Sequence, residues 1–273
     1  MARASQTGVK AKPSRGRVQP NGVVRHVAGD FPAEWEEMKA HCRNLRPHDA
    51  VMECAYLSAQ YRRMHRDMSV VIDLRQILST LRAKKIPFVL TGAHGISMWT
   101  GRPRSTHDVD ILVKAGRNQA RAVNAMKALY PELKVRTAHG VVAFFMPGET
   151  ESVIDVTYPH RADNEVTLQT ALWIEKEGLT YRIPALEAAL ANKYGASLNP
   201  FREPGKRAQD VVDFYFMVKH STDEGREPID LAALSKLGEM VWPGGGGKEI
   251  LDLVQQAMTG QVPRLNPPNR PAE

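Results

Sequence analysis

The pattern of apolar and polar positions predicts helices and strands that succeed one another through the middle of the chain. Helical spacing occurs over 118–129 and over 70–84, where the apolar positions are Val71, Leu74, Ile77, Leu78 and Leu81. An apolar strand at 88–90 leads through a glycine turn and a short helix into a second strand. Residues 141–146 and 152–157 predict a hairpin. This order predicts an α/β (α+β) fold in which helices flank a small mixed sheet.

The remaining pattern divides the chain into regions. Beyond residue 165 it becomes mainly helical, with segments near 186–198, 206–219, 230–240 and 248–258. We therefore predict a C-terminal helical subdomain over 166–260, which follows an α/β core over 69–165. An N-terminal segment over 31–68 is predicted to hold two short helices around Pro47, and basic or polar composition predicts disordered tails over 1–30 and 261–273.

Two aspartates stand in the second strand, where carboxylates are normally depleted. Because side chains alternate along a strand, Asp108 and Asp110 share one face while Val109 and Ile111 pack on the other. The two carboxylates lie roughly 6–7 Å apart along the strand, which is close enough to bracket a divalent ion. Bound Mg²⁺ would relieve their mutual repulsion. The pair predicts a metal site, and the alternative is a solvated strand with an acidic face.

A third strand-borne carboxylate, Asp155, lies opposite Ile154 and Val156. If its strand lies beside the acidic strand, Asp155 completes a triad that can hold an ion and accept a proton from an attacking hydroxyl. The alternative is a single polar residue on a half-exposed strand.

These motifs resemble the nucleotidyltransferase superfamily of the polymerase-beta fold, and most closely its abortive-infection (AbiEii-like) and minimal nucleotidyltransferase branch. The resemblance covers about residues 70–220 and rests on Gly92 after a strand, the run Arg-Pro-Arg-Ser-Thr-His-Asp-Val-Asp at 102–110, Asp155, and the helix that carries Lys193. It implies transfer of a nucleoside monophosphate from an NTP to an acceptor hydroxyl, with Mg²⁺ as cofactor. The family usually has Gly-Gly or Gly-Ser where this chain has Gly92-Ala93.

The resemblance also implies residue roles. Asp108 and Asp110 would hold metal, Asp155 would activate the acceptor and join the metal site, and Gly92 with Ala93 would line the triphosphate. Lys193 would contact phosphate, although its helical face with Leu186 and Leu190 also allows simple snorkelling.

Other charged residues have open interpretations. The guanidinium of Arg104 could bind nucleotide phosphate or an RNA backbone, or lie in a solvated loop. Asp210 and Asp213 share a helix face and could serve the acceptor site, but beside Lys206 and Arg207 they are predicted to be structural salt bridges or caps.

Composition limits the partners and the compartment. A net charge of +7 and a pI near 9.4 suit an anionic partner such as nucleic acid. Two cysteines fit a reducing cytoplasm, and no apolar run approaches the ~20 residues that a membrane span requires. We expect an RNA (tRNA) or protein acceptor, and the resemblance suggests a toxin–antitoxin or phage-defence system. The alternatives are a degenerate antitoxin or scaffold of the same fold, and an aminoglycoside-type small-molecule nucleotidyltransferase.

Overall fold

A five-stranded mixed sheet forms the centre of the computed structural model, which describes residues 45–65, 70–223, 226 and 228–265. Its strands are β1 (Phe88–Leu90), β2 (Val109–Val113), β3 (Lys134–Ala138), β4 (Val141–Phe145) and β5 (Ser152–Thr157). Their spatial order is β1-β2-β5-β4-β3. The pair β2 and β5 is parallel and the other neighbours are antiparallel. The mixed sheet and the β4–β5 hairpin confirm the predicted fold class.

Helices of the first half of the chain cover this sheet. They are α1 (Pro47–His65), α2 (Leu74–Ala83), α3 (Gly92–Thr100) and α4 (Arg117–Leu129). The helix predicted over 70–84 begins only at Leu74, because the side chain of Asp73 accepts hydrogen bonds from the backbone N–H groups of Arg75 and Gln76 and so caps it. Val71 precedes the helix and is exposed, whereas the other four predicted positions are buried.

The N-terminal prediction is tested only in part. The predicted tail over 1–30 and residues 31–44 lie outside the described residues, as do 266–273 of the second tail. From Pro47 onwards the structure shows a single 19-residue helix. Proline suits the first position of a helix because its missing N–H would have no partner there.

The second half of the chain contains strands that the helical prediction missed. Helix α5 (Ala162–Thr170) precedes β6 (Leu172–Lys176) and β7 (Leu179–Ile183), which form a separate antiparallel hairpin. Glu177 and Gly178 both have positive φ, 54° and 75°, which is the backbone geometry of a two-residue hairpin turn. The region over 166–260 is therefore not purely helical.

Four helices then complete the fold: α6 (Leu186–Leu198), α7 (Pro204–Ser221), α8 (Leu231–Val241) and α9 (Gly246–Met258). They agree with the four predicted segments. Their buried side chains form an apolar cluster of their own, to which α3 contributes Ile96 and Trp99. The indole N–H of Trp99 donates to the carbonyl of Pro184 at 2.9 Å, so α3 is fixed between the sheet and the C-terminal helices. Among the described helices, none has the length and apolar character needed to cross a bilayer.

Candidate active site

The three aspartates converge on one face of the central sheet. Parallel pairing of β2 with β5 places Asp110 directly opposite Asp155, and Asp108 immediately precedes β2. One carboxylate oxygen from each residue lies within 4.8 Å of the others. All three are partly buried and line a cavity of about 640 Å³. The structure thus brings together the predicted triad.

Electrostatic repulsion and burial act on this triad together. Burial, followed by the charges of Asp108 and Asp155, raises the pKa of Asp110 well above its ordinary value. Burial, followed by the charge of Asp108, raises the pKa of Asp155 to about 6. The hydroxyl of Thr106 donates to Asp108 Oδ1 at 2.8 Å, which orients that carboxylate.

An unsatisfied oxygen indicates what the triad is suited to bind. Within the described part of the chain, no hydrogen-bond donor reaches the buried Oδ1 of Asp155. A buried carboxylate oxygen without a partner is costly, and so are three like charges at this separation. Divalent cations with oxygen preference, such as Mg²⁺, offset both costs. The residues present therefore fit a divalent metal.

The N-terminus of α3 lies beside the triad. The backbone N–H of Thr91 donates to the carbonyl of Asp110 at 2.9 Å, which ties the turn to β2. Gly92 has φ of +59°, and a Cβ at this position would overlap Asp110 Oδ2. Glycine is therefore required here by both backbone conformation and space. Thr91, Gly92 and Ala93 line the cavity, where a helix N-terminus favours an anion. Phosphate binding by Gly92 and Ala93 remains a prediction.

Lys193 occupies a buried ion network behind the triad. Its ammonium is 2.9 Å from Asp210 Oδ1 and 2.7 Å from Asp213 Oδ2, and the residue is 8% exposed. Burial would lower the pKa of Lys193, but the charges of Asp213 and Asp210 outweigh burial and raise it. Because two buried carboxylates hold the ammonium, Lys193 is not a residue that only extends its charge into solvent. It also lines the cavity, and its phosphate contact remains a prediction.

Arg104 belongs to the same network. Its guanidinium makes a two-point contact with Asp213, through Nε to Oδ1 at 3.1 Å and Nη2 to Oδ2 at 2.9 Å. Burial would raise the pKa of Asp213, but Lys193 and Arg104 lower it to about 2. Arg104 lines the cavity and is not a solvated loop residue. Its predicted phosphate or RNA contact remains a prediction.

The structural role predicted for Asp210 and Asp213 is confirmed, but their predicted partners were wrong. Asp210 forms salt bridges with Lys193 and with Arg202, and Asp213 forms salt bridges with Lys193 and with Arg104. Both carboxylates are buried, so they pair with cations on neighbouring elements. Lys206 instead approaches Glu151, at 3.8 Å between Nζ and Oε1.

Sequence reasoning missed several polar residues of the cavity wall, namely Glu151, Arg161, Asn192 and Arg202. Arg202 and Lys206 are close enough to Asp155 that their charges lower its pKa against the larger effect of burial. Asn192 is adjacent to Lys193 in the sequence, which was the one available signal. The others come from a connecting loop or a strand end, where no periodic pattern marks them.

Comparison with known proteins agrees with this site. The family model of the aminoglycoside-2''-adenylyltransferases matches residues 73–187, which include Gly92 and the three aspartates. Among proteins of curated function, none matches the sequence significantly.

Several solved structures are similar to the chain. An antigenic nucleotidyltransferase-like protein from Paracoccidioides brasiliensis is 16% identical over 69% of this chain and 91% of its own, with a TM-score of 0.42. The antibiotic-resistance factor ANT(2'')-Ia is 15% identical over 60% of this chain and 86% of its own, with a TM-score of 0.41. The protein JHP933 from Helicobacter pylori is 17% identical over 68% of this chain and 88% of its own, with a TM-score of 0.37.

The matched segment and the geometry of the site lead to one assignment. The family match spans β1, the glycine turn, the acidic strand and β5, which are the elements that build the triad. The match over residues 73–187, together with the geometry of the triad, supports assignment of this chain to the nucleotidyltransferase superfamily.

Proposed function

We propose that this chain is a Mg²⁺-dependent nucleotidyltransferase that moves a nucleoside monophosphate from an NTP to a hydroxyl of RNA. The observation that carries the proposal is the convergence of Asp108, Asp110 and Asp155 within 4.8 Å of one another, beside the N-terminus of α3 and in one cavity. A degenerate antitoxin or scaffold would have no use for three partly buried, mutually repelling carboxylates.

The triad would hold the metal, which when bound supplies positive charge to the phosphate oxygens. Asp108 is oriented for this by Thr106, and Gly92 allows the α3 turn to approach Asp110. These contacts keep the carboxylates in place before the substrate arrives, so little reorganisation is needed on binding.

The remaining steps concern the acceptor and the triphosphate. The acceptor oxygen attacks the α-phosphorus, a new O–P bond forms, and the bond to the pyrophosphate oxygen breaks. Asp155 would orient the hydroxyl and accept its proton. The N–H groups at the start of α3 and the ammonium of Lys193 would bind the part of the triphosphate that leaves as pyrophosphate.

The acceptor is proposed to be RNA because cations border the cavity near Asp155. Arg161, Arg202 and Lys206 lie on its wall, and the whole chain carries a net charge of +7. This balance suits a phosphate backbone. RNA and NTPs are both available in the predicted cytoplasmic location. Membership of the abortive-infection branch, with a protein acceptor or a toxin–antitoxin role, remains a prediction.

A second candidate is nucleotide transfer to an aminoglycoside. It is favoured by the description of the family model that matches residues 73–187. Aminoglycosides are polycations, so their binding would need carboxylates beyond the triad. On the cavity wall, the other carboxylates are Glu151 and Asp210, which contact Lys206 and Arg202 respectively, so the screen below decides between the two acceptors.

A transfer screen separates these functions. Purified protein is incubated with Mg²⁺ and each radiolabelled NTP, together with total RNA, protein extract or a panel of aminoglycosides. We expect label in RNA with the wild type and none with Asp110→Asn, which alters the charge of the triad while keeping its shape. Label only in an aminoglycoside would establish the second candidate. Transfer by Asp110→Asn at the wild-type rate would disprove the proposed site.

A further inference from the structure

The loop that connects α6 to α7, residues 199–203, borders the cavity through two of its residues and carries an exposed aromatic residue between them. We call it the rim loop. Phe201 is 95% exposed and is not itself a lining residue, whereas Asn199, two positions before it, and Arg202, directly after it, line the cavity. A single exposed apolar side chain is ordinary on a protein surface. Its position between two cavity-lining residues is what distinguishes Phe201.

Hydrogen bonds hold the rim loop in one conformation. The backbone N–H of Phe201 donates to Asn199 Oδ1 at 3.0 Å, and that of Arg202 donates to the Asn199 carbonyl at 3.1 Å. The Arg202 guanidinium contacts buried Asp210 at 2.6 Å. Glu203 closes the loop by accepting from the first N–H groups of α7. The ring of Phe201 therefore stands in water on a fixed backbone rather than on a loose chain.

The rim loop belongs to the acceptor side of the cavity. The charges of Lys206 and Arg202 act on Asp155, the carboxylate proposed to receive the acceptor proton. Lys206 also lies 3.8 Å from Glu151, close in sequence to β5. This contact joins two side chains that are each nearly half exposed, so Lys206 can turn to another anion at small cost.

An aromatic ring beside cations is the combination that binds single-stranded nucleic acid. Bases stack on the ring, and the cations follow the phosphates. Single-stranded ends are also where RNA exposes its bases, because its helical grooves are hard to read. The chain as a whole carries a net charge of +7, which favours an anionic RNA strand over a polycationic aminoglycoside as the occupant.

We propose that Phe201 is the stacking platform for the terminal base of a single-stranded RNA acceptor, with Arg202 and Lys206 contacting its adjacent phosphate. This inference rests on the proposed function and names how that site receives its acceptor. Stacking would hold the end of the strand so that its terminal hydroxyl lies near Asp155. The base of the NTP is a different possible occupant, and kinetics separates the two.

The test compares Phe201→Ala and Phe201→Trp with Trp173→Ala. Trp173 is a suitable control because it is also exposed, at 64%, and, unlike Phe201, it has no cavity-lining residue within two positions of it in the sequence. We expect Phe201→Ala to raise the KM for a single-stranded RNA oligonucleotide by about 10-fold. The KM for the NTP should stay unchanged, Phe201→Trp should restore the RNA KM, and Trp173→Ala should behave as wild type. An unchanged RNA KM, or a rise in the NTP KM alone, would overturn the assignment.

A binding measurement keeps this inference separate from the catalytic proposal. Fluorescence anisotropy with the same labelled oligonucleotide, without NTP, reports RNA binding whether or not the protein transfers nucleotides. We expect the affinity of Phe201→Ala to fall by the same factor as in the kinetics. Equal binding by wild type and Phe201→Ala would reject the platform even if transfer to RNA is observed. Absence of transfer with the expected loss of binding would reject only the catalytic proposal.

Discussion

Replacing Asp155 with asparagine should stabilise the metal-free protein and weaken its stabilisation by metal. The ordinary pKa of an aspartate is 3.8, and in the folded protein burial and Asp108 raise that of Asp155 to about 6. The folded state therefore holds its proton more tightly than the unfolded state. As the pH rises from 3.8 to about 6, the free energy of unfolding falls, and above pH 6 the full cost of keeping Asp155 ionised in the folded protein is present.

The size of this cost follows from the pKa difference. Roughly two units at ~1.4 kcal/mol per unit give about 3 kcal/mol, and partial solvent access reduces this to about 2 kcal/mol. For a protein of this size, such a gain raises Tm by roughly 4–8 °C. This figure already includes the repulsion with Asp108, which the neutral amide removes. Near pH 4, where the folded carboxyl is already protonated, the gain should largely disappear.

Differential scanning calorimetry provides the assay. Wild type and Asp155→Asn are compared in EDTA near pH 7.5 and near pH 4, then in excess Mg²⁺ at the higher pH. Asp252→Asn is the matched control, because Asp252 is an exposed aspartate on α9 and its loss should change nothing. Mg²⁺ should raise the Tm of the wild type and of the control more than that of Asp155→Asn. A folded Asp155→Asn with unchanged or lower Tm at pH 7.5, or with an equal gain at pH 4, would refute the reasoning.

Two further substitutions test the parts of the site that surround the triad. Gly92→Ala should reduce nucleotide transfer by at least about 100-fold, because the added Cβ must displace Asp110. Gly148→Ala is the control, since Gly148 also has a positive φ but open space around it, and this variant should keep full activity. Equal activities of the two variants would contradict this prediction. Lys193→Met should lower the free energy of unfolding, measured by urea titration, by about 3 kcal/mol, because it leaves Asp210 and Asp213 without their shared cation. A loss below about 0.5 kcal/mol would contradict this and show that Arg202 and Arg104 suffice to neutralise the two carboxylates.

The sequence was sufficient to predict the parts of the site that depend on local pattern. Alternation along a strand placed Asp108 and Asp110 on one face and Asp155 opposite its apolar neighbours, and the structure agrees. The pairing of β2 with β5 was only a condition in that reasoning. It joins residues about 45 positions apart through a parallel crossover, which no local pattern encodes.

Contacts between elements account for what could not be predicted. A helix-spacing rule finds partners within a helix, so it assigned Lys206 and Arg207 to Asp210 and Asp213. The rotation of α7 instead turns these carboxylates towards Lys193 of α6. The β6–β7 hairpin did have a local signal in Glu177-Gly178 followed by alternating apolar residues, but that signal lay in a region interpreted as helical.

The central claim is that three carboxylates form one divalent-cation site. Electron paramagnetic resonance of Mn²⁺, which takes the same oxygen ligands as Mg²⁺, measures the free ion during a titration of the protein. We predict that the wild type removes Mn²⁺ from solution, that excess Mg²⁺ returns it, and that Asp110→Asn binds much more weakly. Equal binding by wild type and Asp110→Asn, or none by either, would contradict the account.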